Sequence, residues 1–159
     1  MKTFTLVGFV GFLGTLRLEM DHANHEALDR AGQIVRDEAQ RVIGTYDYNW
    51  TPLAPSTLAR KAADTPLLET GEMRDSVEYR ADHATAEIGS DMDKAIWQEL
   101  GTVKIPARSF LAGAMQHEAH HVVDTIGRVI TAHLTGGGIA PHSYGTTVGI
   151  PGTGMLPRP

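Results

Sequence analysis

The sequence predicts an α+β domain, in which a small antiparallel sheet is packed by two long helices and an extended C-terminal tail follows. Two long stretches, 16–43 and 109–134, repeat apolar residues at three- and four-residue steps, and two short runs between them alternate apolar and polar residues. The composition then changes to Gly and Pro. Residues 1–134 are therefore expected to form the domain, and residues 135–159 an extension that cannot fold alone.

The composition argues against several classes of function. The formal net charge is −5 and the Lys and Arg residues form no run, which argues against sequence-independent DNA binding. The chain has no cysteine, so disulfides, Cys-ligated zinc and thiol catalysis are excluded. A length of 159 residues suits one domain with a core of its own.

The first element is predicted to be a strand with one buried face. Phe4, Leu6, Val10 and Phe12 alternate with small or polar residues. No small-x-small cleavage site accompanies the run, which favours a strand over a secretory signal. The run is also too short to cross a bilayer as a helix, so no membrane association is expected.

A long amphipathic helix is expected over 16–43, with Gly44 as its stop signal. The next segment contains three prolines and no sustained period, which predicts a long loop. Within that loop we expect a short helix over 56–62 and a single helical turn over 71–75, with Thr70 as its cap.

The remaining elements follow from alternation and stop signals. Alternating residues over 77–88 predict a β-hairpin with one solvent-exposed face. A short helix over 93–100 is expected to end at Gly101, and the last long helix is expected over 109–134.

The last helix contains the sequence HEAHH, which fits the H-E-x-x-H signature of zinc metalloproteases. A helical wheel directs His117 and His121 away from the apolar arc, and Asp124 and Gly127 stand where the extended motif has Gly and His. We therefore predict an exposed polar face, with no catalytic residue, metal or cofactor. A zinc-dependent hydrolase that uses His117, Glu118 and His121 is the alternative. The arc predicted to be buried comprises Leu111, Met115, Ala119, Val122, Ile126, Val129 and Ile130.

A longer pattern lies in the middle of the chain, in TPLAPSTLARK, TPLLETGEMRDSVEYR and AIWQELGTVKIPARSFLAGAM. Its order and spacing resemble the virion-morphogenesis and tail-completion proteins of tailed bacteriophages, over roughly residues 50–115. Ser109 departs from the family, which usually has Pro there, and both residues suit a helix start. The residues at the matched motif positions are Trp50, Pro66, Thr70, Gly71, Arg74, Trp97, Glu99, Gly101, Thr102, Pro106, Arg108 and Phe110.

These motif residues suit a scaffold better than a catalytic site. Gly71 and Gly101 permit backbone positions that other residues would strain. Trp97 and Phe110 are large anchors for a core or for a contact between subunits. The charged members Arg74, Glu99 and Arg108 are candidates for charge-assisted bonds, either within the chain or between subunits.

The resemblance implies a structural virion protein of the phage neck, not an enzyme. It implies a homo-oligomeric ring, with six as the expected copy number, which completes or terminates the tail between the tail tube protein and the head-side connector or stopper proteins. DNA would pass through the lumen without specific binding, which an acidic subunit favours. The protein would be assembled in the host cytoplasm, and residues 135–159 would reach across an adjacent subunit or ring. A head-side stopper and a monomeric prophage-derived binding module are the other interpretations.

Overall fold

The computed structural model of the chain describes residues 6–61 and 63–135. Two long helices, α1 (Leu6–Val42) and α5 (Leu111–Thr135), pack side by side with a two-stranded antiparallel sheet, which confirms the predicted α+β class. Beyond Thr135, the predicted extension lies outside the described residues. The other elements are α2 (Pro55–Leu58), α3 (Glu72–Asp75), β1 (Val77–Ala81), β2 (Ala86–Ser90) and α4 (Asp93–Leu100).

The two long helices run antiparallel. Near the C-terminal end of α1, Glu38 lies 3.2 Å from the ring of His117 in the second turn of α5. Near the other end of the pair, Glu26 accepts a hydrogen bond of 2.9 Å from His133. His133 also lies 3.9 Å from Glu19, so the first turns of α1 continue past the end of α5.

The predicted N-terminal strand is wrong for the residues that the structure describes. α1 begins at Leu6, so residues 6–12 are helical. The sequence fits both patterns, because Leu6, Val10 and Leu13 are also spaced by four and three residues, as on one side of a helix. Among the described elements the sheet consists of the two hairpin strands alone, and the segment joins neither of them.

The body of α1 follows the prediction. Its alanines and Val35 face the core, and small side chains allow the neighbouring helix to approach closely. The helix ends at Val42, and Gly44 takes the left-handed backbone (φ +99°) that favours glycine at a helix C-terminus. The buried residues that α1 contributes are Ala23, Ala27, Ala31, Gly32, Val35, Glu38, Ala39 and Val42.

The hairpin packs on α1 mainly through Tyr79 of β1. A Cβ at Gly32 would lie 2.5 Å from the Tyr79 ring, so the glycine leaves room for it. The Tyr79 hydroxyl donates to Asp29 (3.0 Å), and the Arg36 guanidinium lies 5.2 Å from the ring centroid. Gln40 donates to the carbonyl of Val77 (3.0 Å) and ties the start of β1 to the same helix.

The buried face of α5 is rotated from the predicted arc. Val122 and Val129 are buried as predicted, and Ala114, which lies outside the predicted arc, is buried as well. Met115, in contrast, is 50 % exposed, and Ala119 is also exposed. Apolar residues occupy much of the circumference of α5, so hydrophobicity alone does not place its contact line with α1. As a result, Glu118 is partly buried between the two helices.

The shorter elements lie close to their predicted positions. The helix expected over 56–62 is the single turn α2, and α4 and α5 begin and end within two residues of the predicted limits. None of the described helices combines the length and the apolar character that crossing a membrane requires.

Candidate functional site

Several motif residues meet at the junction between α4 and α5, where Glu99 caps the last helix. Its carboxylate accepts hydrogen bonds from the backbone N–H groups of Phe110 (2.8 Å), Leu111 (2.9 Å) and Ala112 (2.9 Å), and from the Ser109 hydroxyl (2.5 Å). The first N–H groups of a helix have no partner within it, and the helix dipole favours a negative charge there. Glu99 is therefore an intramolecular link that fixes α5 against α4.

The loop between the two helices is folded tightly onto the end of α4. Gly101 has φ +75°, and a Cβ there would lie 2.8 Å from the backbone nitrogen of Ala107. The backbone groups of Thr102 and Ile105 hydrogen-bond to each other (2.8 and 3.3 Å). This part of the motif thus sets the path of the chain from α4 to α5.

The buried members of the motif anchor that loop to the core. Phe110 is fully buried and Trp50 almost so, and both belong to the main hydrophobic core. Arg108 is only 6 % exposed. Its backbone N–H donates to Gln98 (2.7 Å) and its Nη2 to the carbonyl of Thr51 (2.9 Å), while its buried Nε has no partner in the described part of the chain.

The first motif lies on a second loop that packs beside this one. Pro66 is fully buried, and its carbonyl accepts a hydrogen bond from Gly44 at the end of α1 (2.9 Å). Gly71 has φ +90° at the start of α3, where the Thr70 hydroxyl accepts a long hydrogen bond from Glu72 (3.4 Å). Arg74 is partly exposed and forms an ion pair with its neighbour Asp75.

An open cleft of about 1010 Å³ separates the two loops. The cleft is lined by Thr70 and Gly71 of the first motif and by Pro106 and Arg108 of the third. The two motifs therefore face each other across it. The rest of the lining is mixed in charge. Its charged members are Arg60, Lys61, Glu69, Glu72, Lys94, Lys104 and Arg108.

Trp97 is a large aromatic motif residue that lies outside the core. It is 53 % exposed on α4, a helix whose single buried residue is Ala95. Together with three neighbours it forms an exposed surface that we call the α4 apolar face. This face comprises Ile96 (58 % exposed), Trp97, Leu100 (74 %) and Val103 (fully exposed).

A second group of polar residues lies between α1 and α5. The Nδ1 atom of His117 is 3.2 Å from Oε1 of Glu38 and 3.0 Å from Oε1 of Glu118. The other oxygen of Glu118 is 3.0 Å from Nδ1 of His121. We call Glu38, His117, Glu118 and His121 the histidine–glutamate cluster.

Glu38 is the buried centre of this cluster, with 8 % of its side chain exposed. Arg41 donates to both of its oxygens (2.6 and 2.8 Å), and the Tyr48 hydroxyl donates to Oε1 (2.9 Å). The hydrogen bonds from Arg41 are the main reason that the pKa of Glu38 lies below its ordinary value. Burial, reinforced by the Glu38 carboxylate, raises the pKa of Tyr48, so its hydroxyl remains a donor.

The H-E-x-x-H residues are not arranged as in a zinc protease. Such an enzyme uses the two histidines as ligands and keeps the glutamate as a base beside the metal. Here Glu118 lies between the histidines, and both Nδ1 atoms face its carboxylate. The predicted exposed polar face is found for His117, which is 57 % exposed, but His121 and Glu118 are partly buried where α5 meets α1.

Comparison of the chain with protein-family models, with curated proteins and with solved structures found no match.

Sequence reasoning missed several residues of these two sites. Glu38 and Tyr48 carry no local signal, because only the packing of α1 against α5 brings them to His117. The α4 apolar face did have a signal. One side of α4 carries three large apolar residues, Ile96, Trp97 and Leu100, although the helix has only eight residues. The helix buries only Ala95, so these three side chains remain exposed.

Proposed function

We propose that this chain is a structural protein of the neck of a tailed phage or phage-like particle. It forms a ring that completes or terminates the tail and joins it to the head-side connector. The observation that carries the proposal is the α4 apolar face, which lies directly beside the motif junction capped by Glu99. Soluble monomers rarely expose contiguous apolar patches of this kind without a partner.

A ring needs two different contact surfaces on each subunit, because each copy meets one neighbour on either side. A second exposed apolar surface lies on the first turns of α1. The residues of this second surface are Val10 (60 % exposed), Leu13 (46 %) and Leu16 (36 %), which follow one another at three-residue steps on one side of the helix.

The two apolar surfaces lie at opposite ends of the helical pair. The α4 apolar face is next to the start of α5, and the first turns of α1 continue past its end. A helix of 25 residues is roughly 37 Å long at about 1.5 Å per residue. Surfaces so far apart suit head-to-tail contact between copies better than a face-to-face dimer.

The intramolecular role of Glu99 and Arg108 supports the same function. Both were candidates for bonds between subunits, but their hydrogen bonds with Phe110 and Thr51 lie within the chain. They hold α4 in a fixed position relative to α5. A rigid support for an exposed helix limits the entropy lost when that helix contacts a neighbour.

The oligomeric state of the full-length protein tests the proposal. We expect native mass spectrometry and negative-stain microscopy to show closed rings. The double variant Trp97→Ser/Leu100→Ser is expected to be monomeric with a nearly unchanged melting temperature, since both side chains are exposed. Val123→Ser, which removes a 70 % exposed apolar side chain from α5, is the matched control and should still form rings.

Either of two results would overturn the proposal. A wild-type chain that stays monomeric at high concentration favours the monomeric binding module. Loss of rings in Val123→Ser but not in the α4 double variant would show that the contact lies elsewhere.

A further inference from the structure

We propose that the open cleft between the two motif loops binds an acidic peptide segment of another protein. The cleft has a volume of about 1010 Å³ and is lined by five cationic and two acidic side chains. This local excess of positive charge belongs to a chain whose formal net charge is −5. The cleft is thus a confined site at which an acidic molecule can attract a negatively charged partner.

Arg108 lies in the wall of this cleft with a charge that the chain does not balance. It is only 6 % exposed, and an arginine buried to this extent is normally paired with an anion. Its Nη2 donates to the neutral carbonyl of Thr51 (2.9 Å), and its Nε has no acceptor. Within the described part of the chain no carboxylate pairs with it. An anion in the cleft would supply the missing negative charge.

Three further cations of the cleft also have no carboxylate partner among the described residues, namely Arg60, Lys61 and Lys104. Arg60 and Lys61 donate only to neutral backbone carbonyls. Lys94, in contrast, pairs with Glu72 at 3.3 Å. Four uncompensated positive charges therefore line one cleft, and their fields add to attract negative charge.

The other lining groups favour a peptide over a nucleic acid. Leu53, Leu67 and Ile105 line the cleft, and Gln98 adds a buried Oε1 that has no donor in the described part of the chain. A peptide brings carboxylates for the cations, N–H groups for Gln98 and apolar side chains for the rest, whereas phosphates at neutral pH bring acceptors. DNA binding also relies on many basic side chains, and this acidic chain has no run of them.

The chain's own C-terminal extension does not have the required charge. Residues 136–159 contain no Asp or Glu, and their single charged side chain is Arg158. Charge complementarity therefore assigns the cleft to an acidic segment of a different protein. The proposal does not depend on ring formation, because it rests on the lining of the cleft in one chain.

The test measures the anisotropy of a fluorescein-labelled peptide as full-length protein is added. The peptide has about ten residues that alternate Glu and Leu, so that an extended strand has one acidic and one apolar side. We expect saturable binding in the micromolar range that weakens as NaCl is added. A peptide with Gln in place of Glu should bind at least about tenfold more weakly, because it lacks the charge.

Charge reversal in the cleft locates the site. Arg60→Glu/Lys104→Glu should weaken binding at least about tenfold, since both side chains are exposed and would then repel the peptide. Arg17→Glu/Arg80→Glu changes the net charge by the same amount at exposed positions outside the cleft, and it should bind as the wild type does. Arg108→Met, with its fold checked by a thermal melt, should also lose at least about tenfold in affinity.

Any of four results would overturn the proposal. The first is no saturable binding of the Glu-containing peptide by the wild-type chain. The second is equal loss of affinity in the two double variants, which would indicate attraction to net charge alone. The third is unchanged affinity in a folded Arg108→Met protein. The fourth is binding of a labelled DNA duplex as tight as that of the peptide. Ring formation is read separately by native mass spectrometry, so failure here does not bear on the proposed neck function.

Discussion

Two glutamates beside α5, Glu99 and Glu38, accept hydrogen bonds from different kinds of donor. Glu99, at the first turn, meets four donors from the helix start, and no other carboxylate competes for them. Glu38 lies near the second turn, where Glu118 faces the same ring nitrogen of His117. Glu99 is a helix cap that accepts mainly from backbone groups, whereas Glu38 accepts from the side chains of Arg41 and Tyr48.

The largest effect is expected when the Glu99 cap is removed. Glu99→Ala should lower the free energy of unfolding by about 2–3 kcal/mol, because three backbone N–H groups and the Ser109 hydroxyl lose a charged acceptor. Glu99→Gln, which keeps one oxygen acceptor, should cost less. Urea unfolding measures both.

Exposed Glu87 on β2 provides the control for this experiment. Glu87→Ala should change the free energy of unfolding by less than about 0.5 kcal/mol. If Glu99→Ala and Glu87→Ala have equal effects, Glu99 is not a scaffold residue and the contrast with Glu38 fails.

A smaller, pH-dependent effect is expected at Glu38. Its pKa is lowered in the folded protein, mainly by the hydrogen bonds from Arg41. A carboxyl group of this kind contributes stability above its unfolded pKa, and that stability is lost as the pH falls through the folded pKa. The loss should therefore occur below about pH 4.5, the ordinary value for this carboxyl group.

Glu38→Gln should reduce the free energy of unfolding by about 1–2 kcal/mol at pH 7, because it removes a charged hydrogen-bond acceptor. The free energy of unfolding of this variant should also depend less on pH below pH 4.5 than that of the wild type. Glu26, whose pKa is lowered mainly by His133, acts in the same direction, so some pH dependence will remain. Thermal melts over the acidic range measure both quantities. A variant with the full wild-type pH dependence would contradict the role given to Glu38.

The smallest effect is expected for an exposed ion pair on the outer side of α5. Arg128 pairs with Asp124 one turn earlier, and the two side chains are 39 % and 68 % exposed. Arg128→Ala should change the free energy of unfolding by less than about 0.5 kcal/mol, because solvent screens such pairs. A larger change would mean that this ion pair stabilises α5 despite its exposure to solvent.

Local patterns in the sequence correctly predicted most of the elements. The ends of α1 and α4 could be predicted because glycine at a helix C-terminus has a local physical cause, and Gly44 and Gly101 both have positive φ. The hairpin followed from alternation alone. Residues 6–12 were assigned to the wrong element because their apolar residues fit two periods, and a strand requires a neighbour that the local sequence does not specify.

The candidate sites were less predictable. The motif pattern identified Glu99, Arg108 and Phe110, but the sequence left open whether they act within the chain or between copies. The buried face of α5 is rotated from the predicted one, because the apolar residues of this helix extend around much of its circumference. That shift is what brings Glu118 to the contact with α1.

By itself, the sequence determined the α+β class and nearly all of the helix and strand positions, because periodicity and stop signals act over a few neighbouring residues. The tertiary structure alone decided that Glu38, 79 positions before His117, shares its ring nitrogen with Glu118. It also decided that Trp97 stays exposed while Phe110 is buried. Such contacts depend on how one helix is rotated against another, and many rotations are compatible with the same local pattern.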